Sequence, residues 1–138
     1  MFVDASAIVA ILTGEPEADA LTDALESAGR PLTSAVAVFE AVLGLRRKRH
    51  ASVTEARADV REFLEVAGIR TVSLGPEDAD ADAALVAFAR YGKGRGHPAQ
   101  LNMADCFAYA AAKNNGASLM FKGDDFGKTD IESAISTG

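Results

Sequence analysis

The sequence has no tryptophan, one cysteine, two histidines and four prolines in 138 residues. Each shortage removes a class of protein. Cys106 alone cannot form an intrachain disulfide or a cysteine-based zinc cluster, and His50 with His97 are too few for a histidine-rich metal site. Any metal would have to be held by oxygen. No run of about 18 residues is free of charge, and the first residues carry neither a basic start nor a small-residue cleavage site. The expectation is therefore a soluble, cytoplasmic protein with no membrane contact. Seven phenylalanines and two tyrosines leave few platforms for stacking nucleic-acid bases. Lysine and arginine total 14 against 20 acids, and the net charge of −6 argues against indiscriminate polyanion binding.

What is present, 49% hydrophobic and 25% charged residues, suits a single domain over residues 1–138. "FVD" starts a strand. Ser6 to Leu12 reads as a short helix closed by Thr13-Gly14, and Glu15-Pro16 opens a second that runs to Gly29. "RPLTSAVAVFEAVLGLRRKRH" gives a brief extended piece and then a helix from about Ser34. Ser52 with Glu55 forms a capping-box pattern ahead of an apolar stripe through Val60, Phe63, Leu64 and Ala67, ending at Gly68. "IRTVSL" is a strand, "PEDADADAALVAFARYG" a helix, and "KGRGHPAQ" a glycine-rich basic loop. "LNMADCFAYAAAKNNG" is an alanine-rich helix stopped by Asn-Gly, followed by the strand "SLMFKG". This order predicts an α/β/α sandwich with a small, mostly parallel central sheet, whose ligands sit at the C-terminal strand ends.

Four acids stand out against that frame. Asp4 closes the first strand and Asp124 lies just past the last one, so both reach the same sheet edge. Glu40 has Val36, Leu43 and Gly44 as its one-turn neighbours, a small apolar stripe facing the core, and Asp105 is surrounded by Leu101, Asn102, Ala108 and Tyr109. Most other acids, such as Asp59, Glu62 and Asp82, fall on polar faces or in first turns and are surface charges. Burying a charge costs several kcal/mol, and neighbouring carboxylates raise one another's pKa. Glu40 alone has a simple partner in Arg46 or Arg47. For all four together, Mg²⁺ or Mn²⁺ bound by oxygen is the better account.

The stretches "VDASAIVAIL", "TSAVAVFEAVLGL", "LNMADCFAYAAAKNNG" and "LMFKGDDFGKTDI" resemble, in order and spacing, the motifs of PIN-domain proteins of the VapC toxin type. The resemblance covers almost the whole chain. It places the family's four acids on Asp4, Glu40, Asp105 and Asp124, and the hydroxyl after the first acid on Ser6. Asp124 is preferred over Asp125 because it follows Gly123 at the strand exit. The third motif has Met103-Ala104 where many relatives carry an aromatic and a glycine. The resemblance implies a Mg²⁺- or Mn²⁺-dependent endoribonuclease, the toxin of a type II toxin–antitoxin pair. In it, Asp4 and Asp105 are metal ligands, and Glu40 and Asp124 bind a second ion or orient the attacking water. Ser6 is either an outer-shell donor or the cap of the first helix. Asn102 either orients Asp105 or caps its own helix.

RNA has two basic stretches to meet: "RRKRH", with Arg46, and the loop carrying Lys93, Arg95 and His97, which is the preferred contact. A haloacid-dehalogenase-like phosphatase is the rival enzyme, on the late pattern Gly123, Asp124, Asp125, Asp130. It requires a second acid where Ser6 stands. A catalytically silent PIN module is the non-enzymatic rival, and all four acids being present argues against it. The resemblance also implies a VapB-like antitoxin and a homodimer, with Val38, Leu45 and Phe88 as hints of a self-association face. Cys106 and Tyr109 read as core residues.

Overall fold

Phe2 and Val3 make up the whole of β1 (Phe2–Val3), and as neighbours in a strand they leave the sheet in opposite directions. Phe2 enters one core cluster with Leu119, and Val3 enters a second with Met120. This alternation makes the protein a sandwich. The computed structural model describes residues 1–73 and 79–135. After β1 come α1 (Ala5–Leu12), α2 (Ala18–Glu26), β2 (Leu32–Ser34), α3 (Ala35–Arg49), α4 (Val53–Val66) and β3 (Arg70–Val72). Next are α5 (Ala79–Tyr91), α6 (Met103–Asn114), β4 (Leu119–Met120) and a 3-10 turn (Phe126–Lys128). The expected strand end at Leu74 and helix start at Pro76 lie outside the described residues.

The strand order is β3-β2-β1-β4, and every described ladder is parallel, with Phe2 opposite both Leu32 and Leu119. Ser133 extends the sheet by an isolated parallel bridge to Leu119. The α/β sandwich with a small parallel sheet is thus the observed architecture. The Val3 side is packed with residues of α1, α2 and α4, and the Phe2 side with those of α5 and α6. Helix α3 serves both, through Ala37 on one side and Ala41, Val42 and Leu45 on the other. Leu45 is fully buried there, so it belongs to the core and not to a self-association face; Phe88 stays 40% exposed.

Local chemistry sets the helix starts. Ser34 and Ser52 cap α3 and α4 by accepting from Ala37 N and Glu55 N, at 3.2 and 3.1 Å. The second helix begins at Ala18, later than expected. Glu15, Pro16 and Glu17 form a turn ahead of it, closed by the Ala18 N–H bond to Glu15 O at 2.9 Å. Helices α1 and α3 approach closely at Gly44, where a Cβ would come within 3.1 Å of Val9 Cγ2. That contact draws Glu40, one turn earlier, toward the end of β1.

Helix α3 ends on His50, the one described non-glycine residue in the left-handed region, at φ 53°. This conformation costs an L-residue about 1–2 kcal/mol, and its backbone N–H closes the helix onto Arg46 O. His50→Gly is expected to stabilise the fold by about 1 kcal/mol. Chemical denaturation should show a higher midpoint with an unchanged m-value.

Candidate active site

Asp4 is 2% exposed and sits at the joint between β1 and α1. Its backbone N–H continues the sheet by donating to Met120 O at 2.9 Å, and its carboxylate caps α1 by accepting from Ser6 N at 3.0 Å. Ser6 Oγ donates to the same carboxylate oxygen at 2.5 Å and accepts from Lys122 N at 3.0 Å. Asp4 is therefore the helix cap, and Ser6 braces Asp4 against the chain leaving β4. Burial pushes the Asp4 pKa up, and the hydrogen bonds from Ser6 offset part of that rise.

Two further acids close on the same point. Glu40 of α3 is pushed up to about 7, first by burial and then by the charges of Asp4 and Asp105. Asp105 is pushed up to about 6, chiefly by burial, with a lowering contribution from the Asn102 backbone and raising ones from Asp4 and Asp125. Asn102 performs both of its expected roles at once. Its side-chain oxygen accepts from Asp105 N at 2.8 Å, and Asp105 Oδ2 accepts from Asn102 N at 3.0 Å, a capping box that fixes the Asp105 rotamer.

Asp4, Glu40 and Asp105 line one open cavity of about 280 Å³, with Ser6 and Gly44 in its wall. Its other side is basic, formed by Arg47, Lys48 and Lys122 around Glu15. On sequence, Arg47 is only an ion-pair partner for Glu40 and Lys48 only part of the basic stretch, while Glu15 and Lys122 are not singled out, yet signals existed. Gly44, Arg47 and Lys48 follow Glu40 at helical spacing along one face, and Lys122 sits two residues past β4.

The other expected residues fall elsewhere. Neither Asp124 nor Asp125 lines the cavity: Asp124 is exposed, and Asp125 is half-buried with its charge adding to the rise at Asp105. Arg46 is exposed and does not line the cavity that Arg47 and Lys48 line. Lys93 and Arg95 are exposed in a loop closed by the Gly92–Leu101 bridge, at the start of the helix bearing Asp105. His97 is committed to that loop: its Nδ1 accepts from Ala99 N at 3.0 Å and its ring meets Tyr91 edge-on at 4.9 Å. Asp130, the last acid of the phosphatase-like pattern, is bound by the Tyr109 hydroxyl and by Lys113 Nζ at 3.3 Å. It is not in the cavity, and that pattern is not assembled here.

Among the described residues, no three His, Cys, Asp or Glu side chains stand close enough to form a ready-made metal cage. The donor set nonetheless fits a hard cation. Hydrogen bonds are what lower Asp4 and Asp105, and the basic residues lining the same cavity are not among the causes that set the acidity of the three acids. Mg²⁺ usually takes one or two carboxylates and keeps several waters, which an open cavity permits.

The description "PIN domain" matches residues 1–132. A VapC ribonuclease of Rhizobium meliloti is 43% identical over 141 residues, covering 94% of this chain and 98% of its own. Ribonuclease VapC42 of Mycobacterium tuberculosis is 40% identical over 139 residues, covering 99% of this chain and all of its own. Among solved structures, Mycobacterium tuberculosis VapC20, titled a sarcin-ricin loop cleaving toxin, superposes with a TM-score of 0.72. It is 16% identical and covers 94% of this chain and 95% of its own, a likeness of fold. With a family match running from β1 past β4 and identity sustained along nearly whole chains, this protein belongs to the PIN-domain family, in its VapC branch.

Proposed function

We propose that the protein is a Mg²⁺- or Mn²⁺-dependent endoribonuclease that hydrolyses RNA phosphodiester bonds, and the toxin of a type II toxin–antitoxin pair. One observation carries the reading. Three acids from separate elements meet in one solvent-open cavity, and the charge of Asp4 adds to burial in raising the pKa of both Glu40 and Asp105. Near-full-length relatives named as ribonucleases support the choice of RNA.

Asp4 and Asp105 would hold the metal. When bound, the ion supplies an acidified water and positive charge beside the phosphate. The protein's own residues do the rest. Ser6 keeps Asp4 in one rotamer, and the Asn102–Asp105 capping box does the same for Asp105. Glu40, with a pKa close to neutral, is suited to take a proton from the attacking water. Asp125, whose charge reaches Asp105, is an outer-shell acid, and Asp124 binds a second ion or orients the attacking water. The partners are RNA, a VapB-like antitoxin that blocks the cavity, and a second copy of the chain. Exposed Phe39, Leu85, Val86 and Phe88 support a surface made to be covered. No described helix is long and apolar enough to cross a membrane, in keeping with a cytoplasmic site of action.

Cleavage of a structured RNA should require Mg²⁺ or Mn²⁺ and stop with EDTA. Asp4→Asn should lose about a hundredfold or more in rate, and Ser6→Ala about tenfold. Equal cleavage by wild type and Asp4→Asn would refute the metal-centred mechanism, and no cleavage under any divalent ion would favour a silent binding module.

Stability should carry the same signature. Glu40 and Asp105 bind protons more tightly folded than unfolded, so between about pH 4 and 7 the folded state holds the extra protons. In EDTA this contribution to stability falls as pH rises through that window. The Tm of wild type should thus drop more between pH 5.5 and 7.5 than that of Glu40→Gln. Mg²⁺, which needs the ionised acids, should raise Tm more at pH 7.5 than at 5.5.

A further inference from the structure

The basic side of the cavity holds a cluster that the carboxylate centre does not explain. Glu15, whose side chain is 12% exposed, receives Lys48 Nζ on one carboxylate oxygen and Lys122 Nζ on the other. Lys122 also reaches Glu17 at 3.9 Å. The two lysines come from distant parts of the chain, the last turn of α3 and the exit of β4. Half-exposed ion pairs add little to stability, so stability alone does not account for three charges gathered at this rim.

Placement gives them a use. The Lys122 backbone N–H donates to Ser6 Oγ at 3.0 Å, and Ser6 Oγ donates to Asp4 Oδ2 at 2.5 Å. Two hydrogen bonds therefore set the Lys122 backbone against Asp4. Lys48 lies two turns beyond Glu40 on the same helix face. Both ammonium groups are thus held at a set offset from the acids. Each has three donors, and Glu15 engages one of each. The donors not engaged by Glu15, or by Glu17 in the case of Lys122, can turn toward an anion at the cavity mouth.

Charge arithmetic points to the same ligand. Asp4, Glu15, Glu40 and Asp105 line the cavity together with Arg47, Lys48 and Lys122, an excess of one negative charge when all are ionised. One divalent cation converts this to an excess of one positive charge, the complement of a single phosphodiester. Without the cation the cavity repels phosphate; with it, the lysines reinforce the attraction.

We propose that Lys48 and Lys122, spread by Glu15, grip an RNA backbone phosphate beside the one that is hydrolysed. Lys48 and Lys122 are substrate-binding residues, and Glu15 is a positioning residue that acts through them. The proposal rests on the ribonuclease reading, and its test separates the two. Binding of a short single-stranded RNA oligonucleotide is measured by fluorescence anisotropy across a salt series with Mg²⁺ present, in the Glu40→Gln background, which slows cleavage and keeps Asp4 and Asp105 for the metal. Lys48→Ala and Lys122→Ala should each flatten the slope of log K against log salt concentration, the double variant by about 0.7 in all, as expected for one phosphate contact, and Lys48→Arg should restore the loss at its position. With Glu40 intact and Mg²⁺ present, each alanine variant should raise KM about tenfold while kcat moves little. Glu15→Gln keeps both cations, so it should keep the slope and still raise KM. Unchanged slopes in both alanine variants would overturn the clamp even if RNA is cleaved. A wild type that cannot cleave RNA would overturn the enzymatic reading, while the slopes would still decide the clamp.

Discussion

Three carboxylates held near one another at the end of a parallel sheet are the constraint on which the rest of this structure turns. Each buried, unpaired carboxylate costs several kcal/mol, against a total stability of about 5–15 kcal/mol for an ordinary domain. The protein could not keep all three ionised and unaided. Raised affinity for protons at Asp4, Glu40 and Asp105 is how the metal-free fold lowers that cost. On the proposed metal-dependent reading, the same protons would have to leave before a cation entered, which would link folding, acidity and metal affinity through one group of side chains.

The scaffold is organised to hold these acids in place. Asp4 is at once a sheet donor, a helix cap and the receiver of the Ser6 hydroxyl, which leaves its carboxylate little freedom. Asp105 gains similar rigidity from its capping box with Asn102. Glu40 depends on packing instead. The missing side chain at Gly44 lets α3 settle against Val9 of α1, and that close approach carries the acid to the cavity. Secondary-structure chemistry and site chemistry therefore use the same atoms, and local helix capping does part of the work of orienting reactive groups.

Much of this was legible before any coordinates. Asp4, Glu40 and Asp105 stood out because each interrupts an apolar face that its neighbours define, and the structure brings them together. The parallel sheet followed from short apolar runs separated by helices. The basic wall was harder to see. Arg47 and Lys48 are adjacent to Arg46 and Arg49 in a run of like charges, where only helical phase relative to Glu40 separates those that face the cavity from those that do not. Arg49 is engaged elsewhere, with Asp59 at 2.8 Å. His97 suggested an RNA contact by composition, but its ring packs on Tyr91.

The sequence by itself determined which residues cannot be ordinary surface or core, because periodicity fixes the face of a helix and the end of a strand. It therefore determined the acids and the layer order. Tertiary structure decided what lies across from those acids, since Glu15, Lys48 and Lys122 converge from segments with no local relation to one another. It also decided that Asp125 is half-buried while its neighbour Asp124 is exposed, in an irregular turn after Gly123. Periodicity has no purchase on an irregular loop, and long-range ion pairs leave no pattern along the chain.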